Sequence, residues 1–206
     1  MTDKFKVIEL DSKLADYWRG QKLEVIEADA LRIDWKNVVQ ARPCALVSNL
    51  PYQISSSLVI DRSLDAEPLD FMILMFQKEV AQKINAGLDH STYGMLSVMS
   101  QTFWHIETLL EASPRDFLPA PKVASRVLVF KKKKTDIQDR QRYLKFLKGA
   151  FSHPRKMMIS NLVHALGKKR EELVGPMARL KIDEKARAEQ LTQKQFVDFY
   201  FLLGYK

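Results

Sequence analysis

The chain has 206 residues, of which 46% are hydrophobic and 28% are charged, so it can build one full domain and a smaller second one. No apolar run approaches the roughly 20 residues that a membrane-spanning helix needs, and the first residues lack the apolar core of a signal peptide. The single cysteine, Cys44, excludes an intramolecular disulfide framework. We therefore expect a cytoplasmic protein with no membrane partner.

The charge is unevenly distributed along the chain. Residues 1–130 hold 14 Lys and Arg against 17 Asp and Glu, whereas residues 131–206 hold 19 against 8. This asymmetry indicates a catalytic part followed by a part that binds polyanions. A solvated, solubilising surface explains the charge alone equally well. We place the boundary so that residues 1–134 form the first domain and residues 135–206 a basic, helical domain that binds a polyanion.

Short apolar strands and helices alternate along the first part of the chain. Strands are predicted at 5–10, 23–27, 44–47, 71–76, 106–110 and 123–130. Helices are predicted from the N-cap Asp11 to Gly20, and at 55–64, 78–86 and 93–101. Alternating β and α units predict an α/β fold with a mostly parallel sheet and helices on both faces.

Helical patterns dominate after the lysine run at 131–134, which is a solvated linker when considered by itself. Apolar residues around Leu147 share one helical face, and a second helix is closed by Gly167. Thr192 and Gln195 have the spacing of a capping box before a last apolar stretch.

A Ser-Asn-Leu-Pro-Tyr segment at 48–52 directly follows a predicted buried strand. In open α/β sheets, sites form at the carboxyl ends of strands. Asn49 can offer its side-chain carbonyl, and Pro51 fixes the turn so that the Leu50 carbonyl can be a second acceptor. Acceptors for both N–H groups favour a pyramidal, nucleophilic adenine amine, and Tyr52 can stack on an extruded base. The alternative is an ordinary proline turn with an incidental aromatic residue.

Two carboxylates follow the first two predicted strands. Glu9 ends the first strand, where a carboxylate can accept both hydroxyls of a nucleoside ribose. Asp29 follows the second, where it can accept from an adenine amino group. Each acid alone is more typical of a surface carboxylate or a helix cap. Together with Asn49 they place polar residues at the ends of three successive strands, which favours a site.

A set of short motifs spans nearly the whole chain: Val7-Ile8-Glu9-Leu10-Asp11, Ala28-Asp29-Ala30-Leu31, Asn49-Leu50-Pro51-Tyr52-Gln53-Ile54-Ser55, Gln77-Lys78-Glu79-Val80-Ala81, Tyr93-Gly94-Met95-Leu96-Ser97-Val98, Phe117-Leu118-Pro119-Ala120-Pro121-Lys122-Val123, Ala150-Phe151, Arg155-Lys156 and Arg187-Ala188-Glu189. Together these motifs resemble the ribosomal RNA adenine N6,N6-dimethyltransferase family (KsgA/Dim type), which is related to the erythromycin-resistance methylases.

The resemblance implies a class I, Rossmann-like fold that uses S-adenosyl-L-methionine. It further implies dimethylation of N6 of two adjacent adenines near the 3′ end of small-subunit rRNA, in a 30S assembly intermediate. By the same resemblance, Glu9 binds the cofactor ribose, Asp29 the cofactor adenine, and Asn49 lies at the catalytic acceptor position next to the cofactor. Tyr52 and Phe117 would sandwich the target base.

One family feature is not found before Glu9, namely a strand and a Gly-rich turn that cradle the methionine end of the cofactor. The first glycine is Gly20, at a predicted helix end. We therefore expect an N-terminally truncated sheet that lacks its first strand, and weak or no cofactor binding by this polypeptide. The strands at 5–10 and 44–47 would then pair directly or receive a strand from a partner molecule. Otherwise a monomer is expected.

Basic residues suggest where RNA binds. The candidate set is Lys122, Arg155, Lys156, Lys168, Lys169 and Arg170. The histidines have no metal-ligand spacing with Cys44 or with one another, so no metal is expected.

Two other functions remain possible from the sequence. A non-catalytic rRNA-binding or assembly factor would use the basic helical part with a relic fold. A DNA adenine methyltransferase is the third candidate, although Leu50 and the small basic tail argue against it.

Overall fold

A computed structural model describes residues 5–39, 41–65 and 69–205. Within these ranges, none of the helices is long and apolar enough to cross a membrane. The chain divides into two compact units, Met1–Arg42 and Pro43–Lys206. The domain boundary predicted after residue 134 does not coincide with the division between these units, and it stays a prediction about function.

The first unit is a β-α-β arrangement followed by a short helix. Its elements are β1 (Lys6–Glu9), α1 (Ser12–Gly20), β2 (Glu24–Glu27) and α2 (Trp35–Val38). The two strands are parallel, and Glu9 is paired with Glu27. Helix α1 begins as predicted, because the Asp11 carboxylate accepts the N–H groups of the first turn.

The second unit is built on a mixed sheet. Its strands are β3 (Ala45–Asn49), β4 (Phe71–Gln77), β5 (Trp104–Ala112) and β6 (Ser125–Lys132), in the order β3-β4-β6-β5. Three helices, α3 (Ser55–Leu64), α4 (Lys78–Ile84) and α5 (Met95–Phe103), alternate with these strands. The β5–β6 pairing shifts its register between Thr108 and Leu110, which is a β-bulge.

The prediction of a mostly parallel sheet is wrong for the late strands. β1–β2 and β3–β4 are parallel, but β4–β6 and β5–β6 are antiparallel. The loop between β5 and β6 carries only a short 3₁₀ turn, Pro114–Asp116, and no crossover helix, so the chain reverses. Lys131 and Lys132 belong to β6 and are not part of a linker.

Four helices complete the second unit: α6 (Arg140–Ala150), α7 (Met158–Leu166), α8 (Arg170–Arg179) and α9 (Gln193–Leu202). The predicted caps of two helices are confirmed. Gly167 ends α7 in a left-handed conformation with φ of 62°. Thr192 and Gln195 form the capping box at the start of α9. Five fully buried aromatic rings form the core between α6 and α9: Tyr143, Phe146, Phe196, Phe199 and Tyr200.

Hydrogen bonds join these helices to the rest of the second unit. Tyr143 Oη lies 3.1 Å from Thr102 Oγ1 of α5, and Tyr93 Oη donates to the Leu191 carbonyl at 2.9 Å. Arg140 Nη1 donates to the Ser63 and Asp65 carbonyls at the end of α3. The helices after β6 are therefore bound directly to the part of the second unit that contains the sheet.

The pairing of β1 and β3 can be compared with the prediction that the sheet lacks its first strand. Over the described ranges, β1 pairs with β2 alone and β3 pairs with β4 alone. The two strands therefore lie in separate sheets, and the direct pairing considered from the sequence is not observed. Val47 of β3 is 69% exposed.

Candidate functional site

The loop after β3 presents two unoccupied hydrogen-bond acceptors. Asn49 is the last residue of β3 and its side chain is exposed, whereas Leu50 is buried with 5% of its surface accessible. Across the described ranges, neither the Asn49 carboxamide nor the Leu50 carbonyl is found in a hydrogen bond to another group. The next two carbonyls are occupied, because Pro51 accepts from Ile54 N at 3.1 Å and Tyr52 from Ser55 Oγ at 3.0 Å.

The buried Leu50 side chain explains why these acceptors stay in place. Its burial anchors the loop in the apolar interior, and the two occupied carbonyls bind the loop to the first turn of α3. The segment at 49–52 is thus fixed at both ends, while the Asn49 carboxamide and the Leu50 carbonyl have no partner within the described ranges. Their predicted role in accepting hydrogen bonds from an amine stays a prediction.

Tyr52 connects this loop to the start of β6. Its ring is 38% exposed and its Oη lies 3.4 Å from Ser125 Oγ. Ser125 is fully buried and directly follows the segment that contains Phe117, a half-buried residue. The predicted sandwich of a base between Tyr52 and Phe117 stays a prediction. Ser125 was missed from the sequence, where a small polar residue 73 positions away gives no signal.

The loop at 113–124 is fixed at its base by charged groups. Arg126 and Lys78 both pair with Glu111, the Lys78 contact at 3.1 Å, and hydrogen bonds from Arg126 and then Lys78 lower the pKa of Glu111. The Lys78 N–H also donates to the Ala124 carbonyl at 2.9 Å. At the tip, the Leu118 side chain is completely exposed. The loop therefore carries Phe117 on a fixed base.

In the first unit, Glu9 serves the turn after β1. Its Oε1 accepts from Leu10 N at 2.8 Å and from Asp11 N at 3.0 Å. Its other oxygen makes no hydrogen bond within the described ranges. The residue is half-buried. Glu9 can therefore present one carboxylate oxygen to hydroxyl groups, and its predicted binding of both ribose hydroxyls stays a prediction.

Asp29 lies beside Glu9 because Ala28 N donates to the Glu9 carbonyl at 2.9 Å. Asp29 Oδ1 accepts from Leu31 N at 2.9 Å, and Oδ2 lies 3.5 Å from Arg32 Nε. The carboxylate thus fixes its own turn and remains 30% exposed. The acceptors of Glu9 and Asp29 fit the hydroxyls and amine of a nucleoside, and both acids are partly committed to local structure.

The predicted RNA-binding residues are not equivalent. Lys168 pairs with Glu172 at 3.1 Å and Arg170 with Glu184 at 2.8 Å, so their charges are partly neutralised. Lys122, Arg155 and Lys156 are exposed, and no side-chain partner is found for them across the described ranges. Lys169 is also exposed, but a hydrogen bond from its backbone N–H and, to a lesser extent, its charge help to lower the pKa of Glu172.

The structure also separates the predicted basic stripe in space. Arg155 and Lys156 lie in the loop before α7, whereas the group at 168–170 follows its end. A nine-residue helix is about 13 Å long, so the two groups adjoin opposite ends of α7. No group of three or more metal-ligating side chains that could hold an ion occurs in the described part of the chain.

The chain was compared with known proteins. The family model described as ribosomal RNA adenine dimethylase matches residues 1–203. A Bdellovibrio bacteriovorus protein named ribosomal RNA small subunit methyltransferase A is 52% identical over 204 residues, covering 98% of this chain and 74% of the relative. A protein of the same name from Syntrophotalea carbinolica is 35% identical over 200 residues, which cover 94% of this chain and 75% of that protein.

Two solved structures share the fold. A dimethyladenosine transferase from Plasmodium falciparum has a TM-score of 0.79 at 21% identity and covers 98% of this chain and 83% of its own. A 23S rRNA methyltransferase has a TM-score of 0.70 at the same identity, with 98% and 82% covered.

The fold is that of the class I methyltransferases, an α/β architecture with an acceptor-bearing loop at the end of a strand. The family match and the identity of the relatives define the chain further. It belongs to the ribosomal RNA adenine dimethylase family.

Proposed function

We propose that the protein transfers methyl groups from S-adenosyl-L-methionine to N6 of two adjacent adenines near the 3′ end of small-subunit rRNA, within a 30S assembly intermediate. The observation that carries this proposal is the pair of unoccupied acceptors at Asn49 and Leu50, followed by two carbonyls that are already hydrogen-bonded. The family match supports the reaction class and the rRNA substrate.

The chemistry of an adenine amine explains the need for two acceptors. Its nitrogen lone pair is delocalised into the ring, so the nitrogen is a poor nucleophile while it remains planar. Hydrogen bonds from its two N–H groups to Asn49 Oδ1 and the Leu50 carbonyl favour a pyramidal nitrogen with a localised lone pair. No strong base is required. In each transfer the N6 lone pair would form the bond to the methyl carbon as the methyl–sulfur bond breaks, and N6 would then release one proton to solvent. After the first transfer one N–H remains and would donate to one of the two acceptors, following rotation of the methylamine.

The cofactor half of the proposal rests on the first unit. Glu9 and Asp29 would hold the nucleoside portion, since Glu9 has one carboxylate oxygen without a hydrogen bond in the described ranges and Asp29 Oδ2 has only a 3.5 Å contact with the exposed Arg32. The cofactor supplies an electrophilic sulfonium methyl group when it is bound. Calorimetry with S-adenosyl-L-methionine would measure this affinity directly, and Glu9→Gln is expected to weaken it.

RNA binding is proposed for exposed basic side chains of the second unit for which no ion pair is found within the described ranges. Arg155 and Lys156 lie on an exposed loop and Lys169 at the start of α8. Phosphate contacts by such residues give affinity that falls steeply with salt. Lys168 and Arg170 would contribute less, because their carboxylate partners compete with phosphate.

Single-turnover methyl transfer to 30S subunits that lack the modification tests the proposal. Asn49→Ala removes one acceptor from an exposed side chain and should lower the rate by about 100- to 1,000-fold, with RNA affinity unchanged. Gln53→Ala is the matched control, since it truncates an exposed amide in the same loop. Equal rates for the two variants would refute the assigned role of Asn49.

The same assay separates the proposal from its alternative. Tight, salt-dependent binding to 30S subunits with no methyl incorporation by the unaltered protein would indicate a non-catalytic assembly factor. Incorporation into DNA but not into 30S subunits would instead indicate a DNA methyltransferase.

A further inference from the structure

A polar cavity of about 410 Å³ lies in the second unit between the turn that follows α8 and the start of α9. Ile182 and Leu191, both buried, form part of its wall. Lys181, Lys185 and two glutamines supply most of the polar lining. None of these side chains belongs to the methyl-acceptor loop or to the predicted basic set.

The two glutamines of the lining, Gln190 and Gln195, each have a side-chain donor that is not used within the described ranges. Gln190 Oε1 accepts from Arg187 N at 2.7 Å, and Gln195 Oε1 accepts from Thr192 N at 2.9 Å. Each carbonyl is thus committed to a capping box. The NH₂ group of each amide has no partner within the described ranges. Because the acceptor of each amide is used, what remains for a ligand is hydrogen-bond donors.

The charged side chains of the lining add to this preference. Lys181 and Lys185 are exposed, and no carboxylate partner is found for either of them in the part of the chain that the structure describes. The one acid of the lining, Asp183, already accepts from the Lys185 N–H at 2.8 Å. Two ammonium groups against one carboxylate, together with two amide donors, make a site for an anion with several oxygens.

We propose that this cavity binds a backbone phosphate of the substrate rRNA, as a contact separate from those of Arg155 and Lys156. The proposal rests on the proposed function, because that function supplies the RNA. A phosphodiester has two unesterified oxygens and one negative charge, which fit the amide and ammonium donors. Such a contact positions the RNA without reading its sequence.

The use of glutamine at both capping positions is the specific feature of this site. A glutamate would form the same capping boxes and would favour the helix N-terminus of α9 still more. It would, however, replace an NH₂ donor with a second carboxylate oxygen facing the cavity. Glutamate at these positions should therefore keep the fold and repel phosphate, so the substitution tests phosphate binding separately from folding.

The test compares Gln190→Glu and Gln195→Glu with Gln141→Glu, which makes the same chemical change at an exposed position of α6 away from the cavity. Binding to 30S subunits lacking the modification is measured by filter retention between about 50 and 200 mM KCl. Each cavity variant should bind about three- to tenfold more weakly at low salt. The double variant should lose about one unit of the slope of log K against log salt, while Gln141→Glu should not.

Several results decide the outcome. The proposal would be overturned if Gln190→Glu and Gln195→Glu bound 30S subunits with the same affinity and the same salt slope as Gln141→Glu. Thermal unfolding should be unchanged in all three variants, and Lys185→Gln should reproduce part of the RNA effect without touching a cap. Inorganic phosphate could bind at the cavity while the variants leave the slope of log K against log salt for 30S binding unaltered. In that case the site binds free phosphate and the RNA assignment is wrong.

Failure of this inference can be distinguished from failure of the proposed function. Unaltered protein that methylates 30S subunits, together with cavity variants that bind RNA normally, removes the phosphate site alone. Unaltered protein that binds RNA through the cavity but transfers no methyl group removes the catalytic assignment and leaves the phosphate site in place.

Discussion

Replacing Gly149 with alanine should push apart the two helices that carry the Arg155–Lys156 loop. A Cβ at Gly149 of α6 would lie 2.6 Å from the Cβ of Ala165 in α7, a separation that real Cβ atoms do not show. Neither methyl group can rotate away, so the helices themselves must move. Alanine normally improves a helix by about 0.5–1 kcal/mol over glycine, but overpacking costs about 1–3 kcal/mol. We expect a net destabilisation of about 1–2 kcal/mol.

The displacement should also be visible in RNA binding. Asn161 Nδ2 of α7 donates to the Ala150 carbonyl at 2.9 Å and to the His153 carbonyl at 3.1 Å, which ties the loop to both helices. Moving α7 away from α6 strains these bonds and moves Arg155. The affinity of Gly149→Ala for 30S subunits should therefore fall several-fold at low salt.

A double-mutant cycle with Ala165→Gly measures the steric term. The single change Ala165→Gly should cost about 1 kcal/mol through helix propensity. The double variant exchanges the methyl group between the helices and should recover most of the loss, with a coupling energy of about 1–3 kcal/mol by urea unfolding. A Gly149→Ala protein as stable as the parent, or an additive double variant, would refute the steric reasoning.

Two further predictions concern tyrosines. Burial raises the pKa of Tyr93 to about 12 from 10.0, so the stability gained by keeping this phenol neutral is present below pH 10 and is lost as pH rises towards 12. The loss amounts to about 3 kcal/mol, and Tyr93→Phe should flatten this part of the alkaline unfolding profile measured in urea. For Tyr52, whose hydroxyl makes only a 3.4 Å contact, Tyr52→Phe should keep methyl transfer to 30S subunits within about twofold, whereas Tyr52→Ala should lower it by about 10- to 100-fold through lost stacking. Equal rates for the two Tyr52 variants would exclude a stacking role.

Local signals in the sequence predicted the helix ends well. The Asp11 cap, the Gly167 stop and the Thr192–Gln195 capping box are all present, because each depends on residues within a few positions of one another. The segment at 48–52 could be singled out for the same reason, because it is a short turn whose geometry is set by Pro51 and by the strand before it. Its catalytic role stays a prediction.

Features that depend on distant residues were not predictable. β5 begins at Trp104, immediately after α5 and without a turn residue, and its antiparallel partner β6 is joined through a long loop. The sequence alone also did not show that Glu184 neutralises Arg170, which lies 14 positions away. The sequence therefore overstated the number of basic side chains that are free to bind phosphate. The ion pairs of Lys168 and Arg170 are visible only in the structure.

The bulge in β5 has a consequence for how copies of this protein behave beside one another. β5 is the outer strand on one side of the second unit's sheet, and outer strands with regular unpaired N–H and C=O groups can recruit further chains. The register shift between Thr108 and Leu110 interrupts that regular array and leaves the side chain of Leu109 exposed. Glu107 and Glu111 of the same strand are each paired with a lysine, Lys131 and Lys78. The interrupted edge is therefore a poorer template for pairing between copies than a regular strand would be.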